Sequence, residues 1–208
     1  MPASLARHTA EGPPPTAGEW IGGRDGRGAG RSAAFIALFV LLGGTAMVFG
    51  SLTLAFVFRR GFSDDWGALP KPPILWFNTA VLLASSLALE LSRRALRSGD
   101  GRRFNQWWNA GTGLGLLFLA GQAVAWRQLR VAGQFVSTSP GSSFFYVLTT
   151  AHAFHLVCGL AALGFVGVQA RRFRLGPARR TAIDIAAIFW HFLDGLWLFL
   201  MVMFYAWG

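Results

Sequence analysis

Five long apolar stretches, separated by short segments rich in charged residues, glycine and proline, run along the chain from residue 33 to its end. A membrane core of about 30 Å needs about 20 apolar residues of helix, because an α-helix rises about 1.5 Å per residue. Each stretch is at least that long and is bounded by Pro, Gly or Arg clusters, which are typical helix ends. We therefore predict an all-α polytopic bundle of five transmembrane helices, at about residues 33–58, 74–96, 104–125, 144–170 and 182–207.

The first 32 residues have a different pattern. They are rich in Gly, Pro, Ala and Arg and lack apolar periodicity, which predicts a disordered tail over residues 1–32 and a transmembrane domain over residues 33–208. They also lack the short apolar core of a cleavable signal peptide, so we expect the first span to be retained.

Composition supports a membrane protein. Of the 208 residues, 53% are hydrophobic and only 13% are charged, whereas soluble domains carry about 25% charged residues. The single cysteine, Cys158, excludes an internal disulfide framework and a cysteine-based metal cluster. The net charge of +10 would suit nucleic acid, but the arginines lie between the apolar stretches, so we expect no nucleic-acid partner.

The basic residues instead predict an orientation. Fourteen of the 19 Lys and Arg residues fall on one side of the predicted bundle: Arg7, Arg24, Arg27, Arg31, Arg93, Arg94, Arg97, Arg102, Arg103, Arg171, Arg172, Arg174, Arg179 and Arg180. The other five are Arg59, Arg60, Lys71, Arg127 and Arg130. Cytoplasmic loops carry the excess of positive charge, so we expect the N-terminus inside and the C-terminus outside.

Small residues and tryptophans suggest how the helices pack. Small residues that allow close helix approach recur within the spans, at Gly43, Gly44, Ser85, Ser86, Gly111, Gly115, Gly159 and Gly164. Tryptophans near the span ends are expected at the membrane interfaces: Trp76, Trp107, Trp108, Trp126 and Trp207.

Ionisable groups inside the spans are the candidate functional residues, because they are costly in lipid. They are Glu90 in the second span, His152 and His155 in the fourth, and His191 and Asp194 in the fifth. Counted from the outer end, His155 and Asp194 differ in depth by about 3 Å, which predicts an interhelical hydrogen bond. Glu90 is expected to pair with Arg93 or Arg94 on its own helix.

Three interpretations of these groups remain open from the residues themselves. They can join helices through hydrogen bonds. His152, His155, His191 and Asp194 can instead ligate a metal or haem, since residues at i and i+3 share a helix face. Alternatively, Glu90 or Asp194 can carry protons or couple ions in a transporter. Nothing in the chain resembles a nucleophile–base pair or a phosphate-binding loop, so independent catalysis is not expected.

Three motifs resemble subunit III of the haem-copper terminal oxidases, the group of cytochrome c and quinol oxidases. The run from Trp190 through His191 and Asp194 to Trp197 is similar to that family's W-H-F-x-D-x-x-W motif. The run from His152 through His155 to Gly159 resembles its H-G-x-H-x-x-x-G helix. The run that begins at Asn78 and Thr79 resembles its N-T-x-x-L-L-x-S-S segment. The resemblance extends over most of residues 33–208.

The resemblance also has departures. Ala153 replaces the family's glycine between the two histidines, and Thr45 stands where many members carry a glutamate. The family role of that carboxylate is therefore not expected here. Five spans instead of seven imply the short bacterial form, a multi-pass protein of the bacterial inner membrane.

The resemblance implies a non-catalytic subunit of an aerobic oxidase of the cytochrome c oxidase type. Such a subunit packs on subunit I, with subunit II as a further partner, and supports proton uptake and stability during oxygen reduction. It binds no haem or copper, which its partner subunits hold, and it can contact membrane phospholipid. His152, His155, His191, Asp194 and Glu90 then form a buried polar network or contact lipid.

Two alternatives stand beside this interpretation. Within the family, the chain could serve a quinol oxidase or accompany a nitric-oxide reductase. In a different class, it would be a stand-alone haem-binding membrane protein that uses His155 and His191.

Overall fold

The computed structural model describes residues 17–62, 72–172 and 177–207, with side chains for residues 29–62, 72–171 and 180–206. The described residues form five helices and no strand: α1 Ala17–Gly61, α2 Ile74–Arg97, α3 Gly101–Val131, α4 Pro140–Arg172 and α5 Pro177–Trp207. The predicted all-α class and the five helices are confirmed.

Helix α1 begins at Ala17, inside the segment predicted to be a disordered tail. Residues 1–16 lie outside the described residues, so the tail remains a prediction there.

Four segments of these helices are long and apolar enough to cross a membrane: Ala29–Gly61, Ile74–Arg97, Pro140–Arg171 and Arg180–Ala206. Helix α3 is long enough but too polar by composition, because arginines lie at both of its ends and amide side chains lie between them. Its contacts with α2 and α4 extend along its length, as described next.

A tight turn sets α2 and α3 side by side. Gly99 ends α2 in the left-handed region at φ 80°, where glycine has no steric penalty. The backbone N–H of Asp100 donates to the carbonyl of Ala95 at 3.0 Å. The carboxylate of Asp100 then accepts from the N–H of Arg103 at 3.0 Å, which caps α3. With only three residues between them, the two helices run antiparallel.

Side chains of α2 bond directly to the backbone of α3. Ser85 Oγ donates to the carbonyl of Gly111 at 2.8 Å, and Ser92 Oγ donates to the carbonyl of Phe104 at 3.2 Å. A methyl group on Gly111 would lie 2.8 Å from Leu89 Cγ, so only glycine allows this close approach.

Two tryptophans join α3 to α4. Trp108 Nε1 donates to the carbonyl of Leu163 at 3.1 Å, and Trp126 Nε1 donates to Thr149 Oγ1 at 3.1 Å. Trp108 is only 2% exposed, so its ring faces the interior of the bundle. Its indole N–H finds a carbonyl acceptor inside the bundle, which allows the whole ring to be buried.

Helix α5 supplies the centre of the core. Trp190 and Trp197 are both buried, and Trp190 lies against Gly115 of α3, where a methyl group would come within 2.6 Å of its ring. Helix α1 packs on α4 and α5 through buried residues that include Leu38, Phe49 and Phe56.

The prediction of close packing at small residues holds for only part of the set. The residues that contact neighbouring helices are Ser85, Ser86, Gly111, Gly115 and Gly159, whereas a methyl group on Gly43, Gly44 or Gly164 would have nothing within 4 Å.

Candidate functional site

The predicted pair on α5, His191 and Asp194, has a neighbour on α2. Ser86 Oγ is hydrogen-bonded to His191 Nδ1, and the same nitrogen lies 3.9 Å from Asp194 Oδ2. Residues three apart share a helix face, which explains the approach of His191 and Asp194. The His191 side chain is 33% exposed and that of Asp194 is 6% exposed. The histidine therefore reaches the bundle surface, with the carboxylate behind it.

A second polar group lies nearer the cytoplasmic ends predicted for α2 and α5. Arg93 donates through Nη1 to Glu90 Oε2 at 3.1 Å, and through Nε and Nη2 to Asp184 Oδ1 at 3.0 and 2.9 Å. Arg94 Nε lies 3.3 Å from Glu90 Oε1. The predicted pairing of Glu90 with its helical neighbours is confirmed. Its extension to Asp184 on another helix was not predicted.

Together these residues form a continuous polar surface, here called the α2–α5 polar face: Ser86, Glu90, Arg93, Asp184 and His191. All five are half-buried. The α2 members lie at i, i+4 and i+7 and the α5 members at i and i+7, so each set follows one helix face. This spacing was visible in the sequence, but the pairing of the two faces was not.

The two histidines of α4 point to other neighbours. His155 Nδ1 donates to the carbonyl of Ala151 in its own helix at 2.8 Å, and its ring lies against Phe49 of α1. The predicted hydrogen bond between His155 and Asp194 is therefore not formed. His155 contacts its own helix and α1, whereas Asp194 lies beside His191 on α5.

His152 is buried among aromatic rings, with 1% of its surface exposed. It stacks on Trp197 with ring centroids 5.3 Å apart, and its ring edges approach Phe49 and Phe118. These contacts come from α5, α1 and α3, so His152 lies where four helices meet.

The sequence motifs meet in the same core. Trp197 Nε1 donates to Thr79 Oγ1 at 3.0 Å, although the two residues are 118 positions apart. Gly159 packs against Trp190 and Leu193. A methyl group built on Gly159 would lie 3.3 Å from the nearest atom of each of these two side chains. The motif residues therefore hold α2, α4 and α5 together.

Metal ligation was the second interpretation of these residues. In the described ranges, no group of three or more His, Cys, Asp or Glu residues is placed to hold a metal ion. The histidines of the haem alternative contact different helices, His155 through Phe49 of α1 and His191 through Ser86 of α2.

Comparison with known proteins identifies the family. The family model for cytochrome c oxidase subunit III matches residues 70–208. The chain belongs to the cytochrome c oxidase subunit III family. The match contains α2 to α5 and all three motifs, while α1 precedes it.

Several similar proteins are named as cytochrome c oxidase subunit 3. The chain is 28% identical over 174 residues to cytochrome c oxidase subunit 3 of Thermostichus vulcanus. The aligned region spans 82% of this chain and 85% of the relative. It is 30% identical over 161 residues to the probable cytochrome c oxidase subunit 3 of Nocardia farcinica, spanning 75% and 78% of the two chains. It is 27% identical over 165 residues to cytochrome c oxidase subunit 3 of Synechocystis sp., and this alignment spans 76% of this chain and 69% of the relative. Membership in subunit III makes this chain part of a multi-subunit membrane oxidase.

Proposed function

We propose that the chain is the non-catalytic subunit III of an aerobic haem-copper oxidase of the cytochrome c oxidase type. The family match and the names of the relatives support this choice. In this proposal haem and copper belong to partner subunits, and this chain binds neither. The complete complex reduces oxygen to water and pumps protons.

All five helices cross the bacterial inner membrane in this proposal, with the N-terminus in the cytoplasm and the C-terminus outside. The excess of basic residues in the tail and in the α2–α3 and α4–α5 connections supports the orientation. Helix α3 crosses despite its composition, because its contacts with α4 run from Trp108 to Trp126 along the length of both helices.

The α2–α5 polar face is the surface that packs on subunit I. Half-exposed ionisable groups within membrane spans are costly against lipid, and they are tolerated where a protein neighbour supplies polar contacts. His191 carries this inference, because it lies near the middle of α5, 11 residues from Arg180 and 15 from Ala206, with 33% of its side chain exposed. Subunit II is the second protein partner of the complex.

The subunit supports proton uptake and stability of subunit I during oxygen reduction. Its polar network, which includes His191 and Asp194, stabilises the docked arrangement rather than the chemistry. Phospholipid occupies the apolar groove of about 550 Å³ between α1, α4 and α5, where Leu38, Phe154, His155 and Phe189 are among the lining residues.

Substitutions on two different faces test this proposal. In His191→Phe and Asp194→Ala oxidase, we expect more of this chain to be lost during purification of the complex than in the wild type. The matched control is His155→Phe, which alters a half-buried histidine in the apolar groove and leaves the α2–α5 polar face intact. The measurement is the ratio of this chain to subunit I, together with the oxygen-reduction rate of complexes that retain it.

The two readouts separate the competing outcomes. Complexes that retain the variant chain should reduce oxygen at the wild-type initial rate and become inactive no sooner. Normal retention with slowed oxygen reduction would contradict the proposal. A haem absorption band from the purified chain, lost in the His191 variant, would favour the haem-binding alternative instead.

A further inference from the structure

Several buried side chains have no hydrogen-bond partner in the part of the chain that the structure describes, and three of them lie on three different helices. They are Asn78 on α2, Gln122 on α3 and His152 on α4. Their exposed fractions are 0%, 2% and 1%. Both amide atoms of Asn78 and Gln122 and both ring nitrogens of His152 are affected, which makes six polar atoms within one bundle.

A closed ring of contacts places these side chains in one layer. Asn78 lies against Gly121 of α3, the residue before Gln122. Phe118, one helical turn before Gln122, contacts His152 of α4, and His152 stacks on Trp197 of α5. The ring closes on α2, because Trp197 bonds to Thr79, the residue after Asn78. The four helices are thus joined at one level, and the three polar side chains lie on that level.

The cost of leaving these atoms unpaired is large. A buried polar atom without a partner lowers the stability of the fold, because it has lost its hydrogen bonds to water, and lipid offers no replacement partners. Buried polar groups that lack protein partners are usually bridged by water, which makes about three hydrogen bonds at each site. Two amides and an imidazole supply both donors and acceptors for water, whichever nitrogen of His152 carries the proton.

Within α2 the layer lies close to the start of the helix. Asn78 is four residues after Ile74, the first residue of α2, which is about 6 Å along the helix axis.

We propose that Asn78, Gln122 and His152 form a binding site for ordered water between α2, α3 and α4. The bound water bridges the three side chains and completes their hydrogen bonds, so the layer fixes the rotation of these helices about their axes. This inference depends only on the bundle and not on the proposed role in the oxidase.

The direct test is a structure of the assembled oxidase at a resolution that shows ordered water. We expect at least one water molecule within hydrogen-bond distance of two of the three side chains. Direct hydrogen bonds between the two amides, with no water, would overturn the proposal. A structure with no ordered water among the three side chains would overturn it as well.

Stability measurements on the full chain in detergent provide a second test. Asn78→Leu, Gln122→Met and His152→Phe each keep the approximate size of the side chain but remove its polar atoms. Each single change should shorten the unfolding half-life roughly threefold or more, because the two remaining polar side chains lose a bridged partner. The triple variant should recover much of that loss.

The matched control is Ser51→Ala, which removes an exposed hydroxyl that bonds only within its own helix. Its half-life should stay at the wild-type value. A longer half-life in any of the three single variants would show that the replaced atoms had no partner, and the proposal would then be wrong. Unchanged half-lives in all three would contradict it equally.

Discussion

Helix α1 and the unit formed by α2 to α5 differ in how far the bundle covers them. In its most apolar 18-residue window, α1 has 17% of its residues buried, compared with 44% in α2 and 50% in α5. A methyl group on Gly43, Gly44 or Gly50 of α1 would meet nothing within 4 Å. The same residue type in the two regions therefore has different consequences.

In α3 three of the glycines are contact points. Methyl groups on Gly111, Gly115 and Gly121 would collide with Leu89, Trp190 and Asn78, respectively. The family model begins at residue 70, immediately before this closely packed unit. The family match therefore coincides with the closely packed α2–α5 unit, while α1 is a peripheral helix with open sides.

The largest expected effect is that of Gly121→Ala. The added methyl group would lie 2.0 Å from Oδ1 of Asn78, a side chain that is fully buried. Overpacking of this kind costs about 1–3 kcal/mol. Thermal unfolding of the full chain in detergent, followed by loss of helical circular dichroism, would measure it. The control is Gly113→Ala on the same helix, where a methyl group has open space, and equal stability of the two variants would refute the prediction.

A smaller loss is expected when the bond between α5 and α2 is removed. Trp197→Phe and Thr79→Val each delete one partner of the 3.0 Å hydrogen bond. Interhelical hydrogen bonds in membrane proteins average about 0.6 kcal/mol and reach about 1.7 kcal/mol. A double-mutant cycle on unfolding free energies should therefore give a coupling within this range. Strictly additive effects would mean that the bond does not stabilise the unit.

Removing the serine contact between α2 and α3 should cost about as much as one average bond. Ser85→Ala deletes the donor to the Gly111 carbonyl and should lower the unfolding free energy by about 0.6 kcal/mol. Ser51→Ala in α1, which loses only a bond within its own helix, should leave the same measurement unchanged. A larger effect at Ser51 than at Ser85 would reverse the comparison between the two regions.

The smallest expected effect lies in α1. Gly50→Ala adds a methyl group in open space and improves helix propensity by up to about 1 kcal/mol. The stability of the isolated full chain should therefore stay the same or rise slightly. Destabilisation of the isolated chain would contradict the open surface of α1. Loss of retention in the assembled oxidase alone would instead show that another subunit covers this side of α1.

The local pairs of the candidate site were predictable from the sequence. Glu90 and Arg93, and His191 and Asp194, lie three residues apart on single helices, and the 3.6-residue period places such residues on one face. The predicted contact between His155 and Asp194 failed although it used the same rise per residue. Depth along a helix follows from counting, but direction around its axis changes by about 100° per residue, and counting between separate helices does not determine it.

The sequence by itself determined the five helices, the approximate limits of α2 to α5 and the three motifs that resemble those of the family, because apolar length and short spacing are local properties. Only the tertiary structure decided which faces meet. It joined Arg93 to Asp184, Ser86 to His191 and Trp197 to Thr79. It also buried Asn78, Gln122 and His152. The physical reason is that the rotation of each helix is fixed by close packing at residues such as Gly111, Gly115 and Gly121, and this packing depends on all neighbouring helices at once.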